Sequence, residues 1–203
     1  MIVAFILNII IVICELVVLS RLNKKKDILK YYTYLQNFLC LIVSIIFCIY
    51  CIGSEVIPEY VRGIRYIVST GLIFTTFIYI LLSTNKDNKI SDKDFKGIKG
   101  NTANIVLHYL CPILSLISFI WFERSICLSN SIWTLLVAIP SCLYWIVYFI
   151  LSVTKLWKEP YDFSTKNKVV DSLMVIMIPI SFIIISIILW NVRWYLWKEY
   201  YLL

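Results

Sequence analysis

Two side chains in this sequence could act as a nucleophile and its base: Thr33 and His108. His108 is the chain's only histidine, and histidine is the side chain whose unperturbed titration lies nearest neutral pH. A threonine hydroxyl attacks a carbonyl only when a base takes its proton. Each of the two lies about four residues past the start of an apolar segment, and at ~1.5 Å of helical rise per residue both sit roughly 6 Å inside the same membrane interface. Glu15 and Asp171 fall near that level. A hydroxyl, an imidazole and a carboxylate would then meet in one layer. The plainer alternatives are a histidine that only hydrogen-bonds a neighbouring helix, a threonine bonded to its own i−4 carbonyl, and a Glu15 that snorkels towards the basic loop after it.

The segments that carry these residues are transmembrane in character. The 203 residues are 61% hydrophobic, mean hydropathy is +0.87, and apolar runs near the spanning length of about 20 residues recur along the whole chain. The sequence predicts an all-α integral membrane protein, one domain over 1–203 built as a single bundle of six transmembrane helices. The spans fall at about 2–19, 29–52, 66–82, 101–123, 132–153 and 169–190. No basic residue precedes the first span and no small-residue cleavage site follows it, so it reads as a span rather than a signal peptide.

Polar residues in the spans recur at steps of three and four. Thr33, Asn37, Cys40, Ser44 and Cys48 share one face of the second span, and Asn104, His108, Cys111, Ser115 and Ser118 one face of the fourth. Ser69, Thr76, Tyr79 and Ser83 share a face of the third, with Thr75 beside it, and Asn8 and Glu15 lie two turns apart on the first. Such faces turn away from lipid, because an unpaired polar group in hydrocarbon is costly, and an ionisable group within a span marks a site. Pro112 is expected to kink the fourth span one turn beyond His108.

Of the 19 Lys and Arg, 14 follow spans one, three and five. The positive-inside rule therefore puts both termini on the non-cytoplasmic side of the cell membrane. The net charge of +7 reads as topology and headgroup contact, with membrane lipids rather than nucleic acid as partners. Seven cysteines, mostly inside spans, form no disulfide framework. One histidine without clustered carboxylates argues against a metal, and no cofactor is implied.

KYYTYLQN at 30–37, followed two spans later by LHYLCPIL at 107–114, resembles the family of the androgen-induced gene 1 protein and the androgen-dependent TFPI-regulating protein, above all its bacterial six-helix relatives. In that family a threonine near the start of span two is followed by a polar pair, and a His-x-x-x-Pro element opens span four. Here these are Thr33, Gln36–Asn37, and His108 with Pro112. IPSCLYWIVYF, with Pro140 and Tyr144, is similar to the family's Pro-x-x-x-Tyr, and EPYDF at 159–163 to its Pro-Tyr-Pro-Phe loop, with Asp162 in place of the second proline. The resemblance covers nearly the whole chain in order and spacing.

That resemblance implies a membrane threonine hydrolase acting on fatty acid esters of hydroxy fatty acids. Thr33 would attack the ester carbonyl, and His108 would serve as general base and then acid through an acyl-threonine. Asn37, Thr76 and Tyr144 are candidate substrate or oxyanion contacts, with Glu15 a further lining residue. Three readings are open: a lipid ester hydrolase or acyltransferase; a non-enzymatic six-helix binding or transport subunit of an importer; and a lipoprotein-processing acyl-transfer enzyme, to which the likeness is poorer. Importer modules generally keep both termini in the cytoplasm and carry small-residue docking faces, opposite to the charge bias and composition here.

Overall fold

The computed structural model describes residues 1–22, 31–54, 56–82, 97, 99–123, 130–154 and 168–201. Most of these residues are helical. Helix α1 spans Ile2–Ser20, α2 Tyr32–Gly53 and α3 Glu59–Leu82. Helix α4 spans Gly100–Phe122, α5 Ile132–Leu136, α6 Ala138–Val153 and α7 Lys168–Tyr201. Five of them are long and apolar enough to cross a membrane, and Ile132–Tyr148 is a shorter apolar helix.

The third helix starts seven residues before the expected Tyr66 and takes in Arg62 and Arg65. Its 24 residues measure about 36 Å at 1.5 Å each, enough to cross a ~30 Å hydrocarbon core. The sixth apolar segment is likewise longer than expected, with the Trp- and Tyr-rich tail continuing α7 to Tyr201. The fifth is broken at Val137, between α5 and α6. Pro140 explains the break: it has no N–H for the Leu136 carbonyl four residues back, and its ring crowds that oxygen.

Helices α1 to α4 form a ring. α1 packs on α2 and α4, and α3 packs on the same two; α7 and α5 lean against α3 from outside, and α6 against α7. Leu and Ile cover the exterior, among them Ile6, Ile13, Ile139, Ile184 and Ile188, all exposed. Asn8, Glu15, Asn37, Arg65, Ser115 and Ser118 are buried. An apolar outside around a polar inside is the arrangement lipid selects, since water would leave so much exposed apolar surface without cover. The chain is a multi-pass membrane protein built as a helical bundle.

Candidate functional site

The polar faces of α1 to α4 turn inward and meet as a column along the ring's axis. At one end Arg65 on α3 pairs with Glu123 just past α4, at 2.7 and 3.2 Å from Nη2 and Nε to one carboxylate oxygen. Their side chains are 0% and 2% exposed. Arg65 also donates to Ser44 Oγ at 3.3 Å, Ser118 Oγ donates to Glu123 at 2.9 Å, and Asn8 on α1 donates to Ser118 at 2.9 Å. Arg193 on α7 donates to the Phe119 and Glu123 carbonyls, and Trp197 to the Ile120 carbonyl. The last carbonyls of α4, which have no partner within their own helix, are thus capped from α7.

One layer inward, the Ser69 and Ser115 hydroxyls bond at 2.9 Å. Below them lie Cys40, Cys111 and the Glu15 side chain, which is wholly buried. Glu15 therefore does not snorkel to the interface. The Cys111 thiol lies beside its carboxyl group, and neither carboxyl oxygen has a hydrogen-bond partner of ordinary geometry.

The layer at the column's other end belongs to His108, 4% exposed. It sits in a π-helical stretch, Val106–Leu110, where the Cys111 N–H reaches the Val106 carbonyl five residues back. Single π turns inside α-helices are frequent at functional sites. Pro112 has no N–H to offer the His108 carbonyl four residues before it. Thr76 on α3 fills that place, with its hydroxyl 2.8 Å from the His108 carbonyl oxygen and 3.0 Å from that of Leu72. The expected kink is thus a widened turn whose freed carbonyl is satisfied from a neighbouring helix.

The imidazole itself is held from α3. It hydrogen-bonds the Thr75 backbone and stacks on Tyr79 at 3.9 Å between ring centres and 13° between planes. Its Nδ1 has no hydrogen-bond partner among the described residues. Hence Thr76 and Tyr79, two of the four residues on the expected polar face of the third span, and Thr75 beside that face, all contact His108. Helix α2 packs against the π stretch as well. Thr33, half-buried in its first turn, has its backbone carbonyl bonded by the Asn37 amide at 2.8 Å. No hydrogen bond joins Thr33 to His108 among the described residues. The Asn37 and Asn104 side-chain oxygens are buried without a donor.

Tyr144 lies apart from the imidazole, in an aromatic cluster with Tyr32 at 5.0 Å, Tyr148 and Trp145. It borders the column through Tyr32, the neighbour of Thr33. The Asp171 side chain, Ser83, and the EPYDF motif at 159–163 lie outside the described residues.

The sequence reading missed the Arg65–Glu123 pair. The signal was present: Arg65 continues the face of Ser69, Thr76 and Tyr79 by one further helical turn, and a face extends as far as its helix does. Comparison of the chain with protein-family models, curated proteins and solved structures finds no match.

Proposed function

We propose that this protein is an intramembrane lipid ester hydrolase with Thr33 as nucleophile and His108 as base. The observation that carries the reading is the His108 imidazole. It is buried in a membrane helix and fixed in orientation by Thr75 and Tyr79, yet its Nδ1 is unengaged. A base needs a held ring with one free nitrogen. The resemblance to the membrane threonine hydrolases supplies the partner, and the packing of α2 on the π stretch supports it.

In this mechanism a fatty ester enters from the lipid. Its carbonyl carbon takes the Thr33 oxygen while His108 Nδ1 takes the hydroxyl proton. Collapse of the tetrahedral intermediate expels the alcohol, which regains that proton from His108. Water, activated by the same nitrogen, then frees the fatty acid from Thr33. The Thr33–His108 contact closes in the ester complex, since catalytic hydrogen bonds are commonly loose without substrate. Asn37 and Thr76 flank the two reacting groups as substrate contacts, and Tyr144 acts from the aromatic wall beyond Tyr32. The working enzyme has six spans in the cell membrane with both termini outside. The charge bias supports this sidedness: two of the five basic residues assigned to the outer side, Arg65 and Arg193, are buried in the polar column and face no solvent.

A binding or transport subunit is the second reading, favoured by the length of the column, which polarises four helices and not only the His108 layer. A fluorophosphonate probe, which traps activated hydroxyls covalently, separates the two. It should label Thr33 in wild-type membranes and fail on Thr33→Ala and His108→Ala, while lipid profiles of membranes with and without the protein reveal the ester consumed. Absent labelling, with ester turnover surviving in the double alanine variant, would overturn the hydrolase reading.

A further inference from the structure

The column buries two glutamates in opposite ways. Glu123 has the Arg65 guanidinium and the Ser118 hydroxyl on one oxygen. Glu15, equally inaccessible, has neither a cation nor a strong donor: among the described residues only the weakly donating Cys111 thiol reaches it, and neither oxygen has a hydrogen bond of ordinary geometry. The groups that face it are the Cys14 thiol on its own helix, Cys40 on α2 and Cys111 on α4. Thiols are weak donors at best. Arg65 on α3, the nearest buried cation along the column, is engaged by Glu123 and Ser44.

An ionised carboxylate left unpaired in a low-dielectric interior costs far more than any contact here returns, and such a group neutralises instead. It does so by taking up a proton or a metal cation. Among the described residues no group of three His, Cys, Asp or Glu side chains could hold a metal ion. The neighbouring layer has the complementary deficit. Asn37 Oδ1, Asn104 Oδ1 and His108 Nδ1 are buried acceptors without donors. Asn37 and His108 lie about one helical turn from Cys40 and Cys111, the residues that face Glu15, and Asn104 lies a turn further. A carboxylic acid has one O–H to give.

We propose that Glu15 is a proton-binding site in the membrane interior, held as the neutral acid beside the acceptor layer of Asn37, Asn104 and His108. The site stands whether or not Thr33 and His108 hydrolyse esters. Its failure would leave fluorophosphonate labelling of Thr33 untouched, and loss of that labelling would leave it intact.

The test uses the full chain in phosphatidylcholine bilayers at neutral pH. Dicyclohexylcarbodiimide adds to protonated carboxyl groups in apolar surroundings and leaves a stable acylurea. Peptide mass mapping should find the adduct on Glu15 and none on Glu123, and Glu15→Gln should reduce it to background. Infrared spectra should show a carboxylic acid C=O band that shifts in D2O, vanishes in Glu15→Gln and moves in Glu15→Asp. The band decides the matter if carbodiimide does not reach the site, and Glu15→Asp keeps it readable if the Gln variant misfolds. Absence of the band from folded wild type overturns the proposal. So does protection of Glu15 from carbodiimide by sodium chloride, which would make the site one for a sodium ion.

Discussion

Replacing Glu123 by Gln should destabilise the folded bundle severely. The amide keeps the size and can still accept one hydrogen bond, but it removes the negative charge that is bonded to Arg65 among the described residues. The Arg65 side chain is 0% exposed and its carboxylate partner 2%, so the guanidinium would be left charged in a dry core. Removing one partner of a buried ion pair costs about 3–5 kcal/mol. That corresponds to a roughly 140- to 3,700-fold shift in the folding equilibrium at ~1.4 kcal/mol per decade. Ser118 and Asn8 stand in the same chain of hydrogen bonds, so the damage should spread to the contact of α1 with α4. Unfolding by dodecyl sulfate, followed through the seven tryptophans, measures the loss. Glu123→Gln combined with Arg65→Met should recover most of it, because no unpaired charge then remains. A loss under about 1 kcal/mol, the worth of an exposed pair, would refute the dry-core account.

Thr76→Val should cost about 1–2 kcal/mol, because it strands the His108 carbonyl, and should cost less in a Pro112→Ala background, where a backbone N–H can take the hydroxyl's place; equal losses in both backgrounds by thermal denaturation would dismiss that exchange. Gly71→Ala would bring a Cβ within 2.6–2.8 Å of the Gln36 amide, which bonds Tyr32; a loss of about 1–3 kcal/mol from overpacking, relieved by Gln36→Ala, would verify the α2–α3 seam. Labelling of Thr33 by a fluorophosphonate should fall on acidification, because only neutral imidazole accepts the hydroxyl proton; a flat profile would remove His108 as the base.

The inward faces of the column were legible because helical periodicity is a local property. Asn104, His108, Cys111, Ser115 and Ser118 needed only their own spacing to be placed on one face, and lipid left that face one direction to turn. What escaped depended on partners distant in sequence. Arg62 and Arg65 look like loop residues to any hydropathy argument; Arg65 enters the membrane only because Glu123, 58 positions away, neutralises it. Glu15 looked free to snorkel, and its burial follows from the packing of α1 between α2 and α4. Pro112 announced a disturbed helix, but whether it would kink or widen depended on Thr76, 32 residues earlier on α3, which satisfies the released carbonyl.

The two ends of the column therefore obey different rules. At the Arg65–Glu123 end one oxygen of Glu123 takes donors from Arg65 and Ser118, and five helices are tied together through Asn8, Ser44, Arg65, Ser118 and Arg193. The charge-assisted bonds of this network rigidify a core and fix its register, while the second Glu123 oxygen and the Asn8 side-chain oxygen have no partner among the described residues. At the His108 end Glu15, Asn37, Asn104 and His108 all present acceptors with no hydrogen-bond partner of ordinary geometry among the described residues. A fold under selection for stability alone would replace them with apolar side chains of similar volume, since unpaired buried polar groups cost and contribute nothing. Their presence beside a histidine whose backbone is widened, capped and stacked into position supports the proposal that the chemistry lies at the His108 end. The Arg65–Glu123 end holds the surrounding helices in register.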